Sequence, residues 1–130
     1  MAYVVAIISP GEMGSAVAAR LSERGIRVTT SLAGRSPDSA ARAQRAHMLP
    51  VEADDALVEG ADFFLSICPP AEAITLAQRL KPALTRARKK PIYVDCNAVS
   101  PETAIAIGAV LESTGCQCRE GAAGPYGAGC

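Results

Sequence analysis

Residues Tyr3 to Ile8 form an unbroken, largely β-branched apolar run, which passes through Ser9-Pro10-Gly11-Glu12-Met13-Gly14 into an alanine-rich segment. An apolar run without alternation is the pattern of a strand buried on both faces, and it belongs in the centre of a parallel sheet. In the segment that follows, Val17 and Leu21 lie one helical turn apart, and Gly25 stands at the usual C-terminal stop. Strand, glycine turn and helix in direct succession make the first half of a β-α-β unit. That confines the chain to an α/β architecture.

The rest of the sequence repeats the alternation. Ile26 to Ser31 is β-branched, and Ser36-Pro37 offers an N-cap with proline at the first helical position for a helix through His47. Leu49 to Val51 reads as a short strand, and Asp54-Asp55 opens a brief helix that Gly60 ends. Asp62 to Cys68 is the next apolar run, stopped by Pro69-Pro70. Ala71 to Leu80 then carries apolar residues at helical spacing, before a basic stretch, Arg86 to Lys90, expected to be a solvated connection. Ile92 to Asp95 is a strand, Ser100-Pro101 starts a helix that ends by Gly115, and Cys116 to Arg119 is a last short strand. The expected fold is a doubly wound parallel sheet, a single domain over residues 1–119 with a glycine-rich tail over 120–130.

Composition narrows the function. The 13 basic and 13 acidic residues cancel, so the charge that non-specific nucleic-acid binding depends on is missing. With 4% aromatics and no Trp, there is little from which to build a base-stacking platform or a membrane-interface belt. No apolar run approaches the roughly 20 residues of a membrane span, and the start lacks a basic secretory signal, so a cytoplasmic protein with a small-molecule partner is expected. The five cysteines are scattered and odd in number and read as reduced thiols. With a single His and no ligand spacing, no metal site is expected.

The glycine turn is the strongest chemical signal. A dinucleotide fold needs a tight bend after its first strand, a residue without a side chain against the pyrophosphate, and close packing of helix on sheet. Gly11 and Gly14 fill the second and third of those places, and Ser9 stands at the first. Amides near Glu12, Met13 and Gly14 at the helix start are then expected to face the phosphates with the positive end of the helix dipole behind them. At the end of the second strand an acidic residue would select the ribose hydroxyls of NAD, whereas Arg accommodates a 2′-phosphate. Here stand Thr29, Thr30 and Ser31, with Arg35 and Ser36 in the next loop, a guanidinium and hydroxyls suited to a phosphate dianion. The expected cofactor is therefore NADP(H). Cys68, Pro69 and Pro70 end the strand that lies beside the first in such a sheet, where a rigid segment shapes the nicotinamide side. Asn97, in Asp95-Cys96-Asn97-Ala98-Val99-Ser100-Pro101, offers both donor and acceptor groups to a nicotinamide ribose or a substrate at the next strand end, and is expected among the cofactor-binding residues.

The SPGEMG turn, the SICPP strand end and the DCNAVSP strand end, in that order, resemble the NADP-binding domain of the 6-phosphogluconate dehydrogenase and β-hydroxyacid dehydrogenase superfamily. Imine reductases share that domain, and the nearest likeness is to divergent, often fungal, members. The resemblance implies a Rossmann-type fold over residues 1 to about 119. By position it implies a pyrophosphate turn at Ser9, Pro10, Gly11, Glu12, Met13 and Gly14. The adenosine phosphate site falls at Ser31, Arg35 and Ser36, the nicotinamide side at Cys68, Pro69 and Pro70, and a substrate-facing residue at Asn97. Ala98 replaces the hydroxyl residue that hydroxyacid members use to hold a substrate carboxylate, and residues 121–130 replace their glycine-rich substrate loop. Family members continue into an all-helical domain that supplies the catalytic Lys or its substitute and pairs with a second subunit. The sequence ends before such a domain would begin, so the catalytic residue is left unassigned and a homodimer or a helical partner domain is expected.

Two functions remain in view. One is an NADPH-dependent oxidoreductase domain that serves hydride transfer to or from a small carbonyl or imine, where the protein holds the nicotinamide against the substrate carbon. The other is a stand-alone nucleotide-binding module recruited for a non-redox task, such as a cyclisation step or service as a partner subunit.

Overall fold

The computed structural model describes residues 3–8, 12–32 and 36–120, and the elements alternate over almost all of that length. Strand β1 (Val4–Ile7) leads into helix α1 (Glu12–Glu23), then β2 (Arg27–Ser31), α2 (Pro37–Arg45), β3 (Leu49–Val51) and α3 (Asp54–Glu59). Strand β4 (Phe63–Ser66) follows, then a single 3-10 turn (Pro70–Glu72), α4 (Ala73–Arg86), β5 (Ile92–Asp95), α5 (Pro101–Glu112) and β6 (Cys118–Glu120). All six strands lie in one sheet in the order β3-β2-β1-β4-β5-β6, and each neighbouring pair is parallel. The doubly wound parallel sheet read from the sequence is the fold.

Alternation along β1 shows how the layers form. Val5 and Ile7 pack on one face with Val28 of β2, Ala18 of α1 and Ala43 of α2. Ala6 and Ile8 pack on the other with Phe64, Tyr93, Leu57 of α3, Leu80 and Leu84 of α4, and Ile107 and Leu111 of α5. A strand sandwiched in this way has no polar face to spare, which explains its unbroken apolar run. Phe64 and Tyr93, on adjacent strands, stack with ring centroids 5.2 Å apart.

Local signals set most boundaries. Ser36 Oγ accepts from the Ser39 amide at 3.2 Å and Ser100 Oγ from the Thr103 amide at 3.2 Å, the N-caps expected from the two Ser-Pro pairs. Gly25 and Gly115 take φ of +79° and +80° after their helices. His47 holds the same left-handed position after α2, with φ of 60°, where a side chain is disfavoured.

Two expectations are corrected, the end of α4 and the state of Cys118. Helix α4 runs on to Arg86 with Pro82 inside it, because Ala83 and Leu84 continue its buried face, and that packing outweighs one lost backbone hydrogen bond. The basic stretch is solvated, as expected, and its side chains also make specific bonds. Arg86 pairs with Asp55 at 2.7 Å, Lys89 with Asp62 at 2.7 Å, and Lys90 Nζ donates to the carbonyls of Leu84 and Ala87 at 2.6 and 2.8 Å, closing the end of α4. Cys68, Cys96 and Cys116 are free thiols as expected, whereas Cys118 is disulfide-bonded. No helix among the described residues is long and apolar enough to cross a membrane.

Candidate functional site at the carboxyl edge of the sheet

In a parallel sheet every strand ends on the same edge, so Ile7, Ser31, Ser66 and Asp95 bring the loops after β1, β2, β4 and β5 together. Strand β1 is where the winding reverses. Helix α1 leaves it on the face shared with α2, and α4 and α5 cover the opposite face. The loops diverge on either side of that point, and the crevice between them is where such sheets take ligands.

On the first side of the crevice, Gly14 is buried in the first turns of α1, and Met13 is 68% exposed. Ser31, the last residue of β2, is fully buried, and its Oγ has no hydrogen-bond partner among the described residues. A buried hydroxyl without a partner costs stability, so it needs a local reason. No carboxylate stands near it on the strand, where Thr29 and Thr30 precede it, and Thr30 Oγ1 donates to the Ile8 carbonyl at 3.4 Å. Ser36 is exposed and occupied as the cap of α2. Ser9, Pro10, Gly11 and Arg35 lie outside the described residues, as does the side chain of Glu12.

The second side is built differently. Asn97, only 6% exposed, links the ends of β4 and β5. Its Oδ1 accepts from the Cys68 amide at 2.9 Å, and its Nδ2 donates to Ser66 Oγ at 3.0 Å and to Cys68 Sγ at 3.6 Å. Its own amide donates to Asp95 Oδ1 at 2.9 Å, and the Cys96 amide donates to the Ser66 carbonyl at 3.1 Å. Pro69 and Pro70 stand exposed just beyond Cys68, so the segment expected to shape the nicotinamide side projects from a closed polar network.

Burial shifts the titrating groups of this network toward their neutral forms. Burial pushes the Cys68 thiol up, against the hydrogen bonds from Ser66 and Asn97 and helped by the charges of Glu72 and Asp95. Burial also raises Cys96 and Asp95, the latter opposed by its bond from the Asn97 amide. Tyr93 is raised mainly by burial, and its hydroxyl, although near Ser66, makes no hydrogen bond of proper geometry. Neither thiol is a thiolate at neutral pH, so no nucleophile is poised here. Sequence reading passed over Glu72. It stands exposed on the 3-10 turn after Pro70, close enough for its charge to reach Cys68, and an acid placed just after the proline pair was the available signal.

This strand order and this edge define a dinucleotide-binding α/β domain. The chain belongs to the family described as NADP oxidoreductase, coenzyme F420-dependent, whose model matches residues 4–99, and its cofactor is NADP(H).

Solved structures agree on the fold. The conserved protein MTH1747, of unknown function and described as structurally similar to 3-hydroxyacid dehydrogenases, is 32% identical with a TM-score of 0.72. The match covers 90% of this chain and 41% of that one. A 3-hydroxyisobutyrate dehydrogenase from Mycobacterium tuberculosis, solved with L-serine, is 23% identical with a TM-score of 0.73, covering 92% of this chain and 40% of its own. An imine reductase from Myxococcus stipitatus, in complex with NAD+, is 15% identical with a TM-score of 0.75, over 92% of this chain and 40% of its own. The chain thus spans about two fifths of the length of these proteins. No curated protein matches the sequence. The matches bear out the likeness to hydroxyacid dehydrogenases and imine reductases read from the three motifs.

Proposed function

We propose that this domain holds NADPH across the carboxyl edge of its sheet for hydride transfer to or from a small carbonyl or imine. The observation that carries the reading is the fully buried Ser31 hydroxyl at the end of β2, unpartnered among the described residues and on a strand end with no carboxylate. An acid there would repel a 2′-phosphate, whereas a spare hydroxyl suits one. The residues present therefore fit a 2′-phosphorylated dinucleotide. In this reading Ser9, Pro10, Gly11, Glu12, Met13 and Gly14 receive the pyrophosphate at the head of α1. Ser31, Arg35 and Ser36 hold the adenosine phosphate, and Cys68, Pro69 and Pro70 bound the nicotinamide. The dinucleotide, when bound, supplies the hydride chemistry. The chain's own part is to bind, to orient and to exclude water.

Calorimetry with NADPH and NADH tests the reading. Arg35→Ala should weaken NADPH by about 1.5 to 3 kcal/mol, the worth of a charge-assisted phosphate contact, and leave NADH nearly unchanged. Equal losses would overturn the phosphate assignment, and no heat with either nucleotide would overturn the function.

A second reading, a nucleotide-binding module without redox turnover, is supported by the burial of Asp95 and Tyr93 and by the raised Cys68 thiol, which leave neither an exposed acid nor a thiolate among them. Loss of nicotinamide absorbance against a panel of carbonyls and imines separates the two. Turnover in purified protein supports the oxidoreductase, and binding without turnover supports the module.

The domain is further proposed to form a homodimer. Helix α5 carries little polar surface, and Ile105 on its outer side is 65% exposed. Sedimentation as a monomer at micromolar concentration would overturn this.

A further inference from the structure

We infer that Asn97 is a positioning residue that sets the Cys68–Pro69–Pro70 segment, and so acts on a bound nicotinamide through that segment rather than by touching the ligand. This rests on the proposed dinucleotide site.

The argument is one of hydrogen-bond accounting. A primary amide has one oxygen and two N–H groups to satisfy, and burial makes each obligatory. In Asn97 the oxygen takes the Cys68 amide at 2.9 Å, and the nitrogen serves Ser66 Oγ at 3.0 Å and Cys68 Sγ at 3.6 Å. With the residue 6% exposed, no donor is left for a ligand. The Cys68 amide lies two residues beyond the end of β4, where the chain leaves the sheet. It is paired with a side chain from β5's end instead of with a neighbouring strand. Asn97 is held in turn by the bond from its own amide to Asp95 Oδ1. The direction of the proline pair is therefore fixed by an acceptor borrowed from the adjacent strand end.

In the observed network the group at position 97 donates to Ser66 and accepts from Cys68, and an amide does both. Leucine has the size and neither function. Aspartate has the acceptor and gains the donor only when protonated. Asp95, Cys68, Cys96 and Tyr93 surround the position, with Glu72 across from Cys68. Because the Asp95 and Glu72 carboxyls already act on this end of the sheet, a further negative charge there is disfavoured.

The test uses three probes on the full chain: NADPH, the adenosine-side fragment 2′,5′-ADP, and amide hydrogen exchange without ligand. Asn97→Ala should weaken NADPH roughly tenfold, the fold-change of one buried donor left unpaired, and leave 2′,5′-ADP within about twofold. Exchange at the Cys68 amide should quicken more than exchange in the core of β4. A general loosening of the fold would instead weaken both ligands alike, and that result overturns the proposal. So does unchanged exchange at Cys68. Asn97→Asp keeps the shape and guards against a misfolded alanine variant. It should bind NADPH nearly as wild type at pH 5 and more weakly at pH 8, beyond any change in wild type, and equal weakness at both would overturn the proposal. If wild type binds neither ligand, the dinucleotide reading fails, while the exchange result still decides whether Asn97 sets the segment.

Discussion

The ends of β2 and of the β4–β5 pair lie on the same edge of one sheet, and each carries a buried serine, yet they are finished in opposite ways. At β2 the Ser31 hydroxyl is fully buried with no partner among the described residues. At β4 the Ser66 hydroxyl accepts from Asn97 in a network that also satisfies the Cys68 amide and binds Asp95. An unpaired buried hydroxyl is a standing cost that a ligand could relieve, whereas the Asn97 amide, with its oxygen and both N–H groups engaged, has nothing left to offer one. The contrast separates where a ligand is to be grasped from where the protein shapes a wall.

The largest expected effect falls on the packing beneath the closed end. Phe64→Ala removes a fully buried ring stacked on Tyr93 and should cost about 3 to 5 kcal/mol in urea unfolding. A much smaller loss would mean that the ring stack does not support that strand pair.

The two serines supply the direct comparison. Ser66→Ala strands an Asn97 donor and should destabilise by about 1 to 3 kcal/mol, whereas Ser31→Ala removes an unpaired group and should change stability by less than about 0.5 kcal/mol. The order of effects should reverse in NADPH titrations by fluorescence, where Ser31→Ala loses about 0.5 to 1.5 kcal/mol of binding if it meets the phosphate. Similar stability losses for both would erase the distinction.

Tyr93→Phe sharpens the same point inside the closed end. The hydroxyl is buried without a hydrogen bond, so its removal should be neutral or stabilising by up to about 1 kcal/mol. A loss above that range would place Tyr93 within the Ser66 network.

The smallest effect is a matter of sign. Burial raises Asp95 above its ordinary 3.8, so the favourable contribution of its protonated form is complete below that pH and lost as pH rises through the folded value. Asp62, at the opposite edge, is lowered by its bonds from Lys89 and the Val4 amide, so its contribution is present above the ordinary value and lost as pH falls through the folded one. In acid titrations followed by circular dichroism, Asp95→Asn should therefore gain on wild type as pH rises, and Asp62→Asn should gain as pH falls. Parallel shifts would contradict both assignments.

Much of the architecture was legible because its signals are local. The unbroken run at β1, the Ser-Pro caps of α2 and α5, and the glycines at positions 25 and 115 act within a few residues, so spacing alone reveals them. The end of α4 was not legible, since Pro82 reads as a stop until Ala83 and Leu84 are seen packed in the core. Nor was the role of the basic stretch, whose partners Asp55 and Asp62 are far away in sequence.

The site divides along the same line. From its sequence the chain declared an α/β domain with a glycine turn and a β2 end free of acid, because backbone conformation and residue chemistry are written position by position. Only the tertiary structure decided that Ser31 is left unpaired while Asn97 is fully engaged. Hydrogen-bond saturation depends on which strand ends meet, and residues 66 and 97 become neighbours only once β4 and β5 pair.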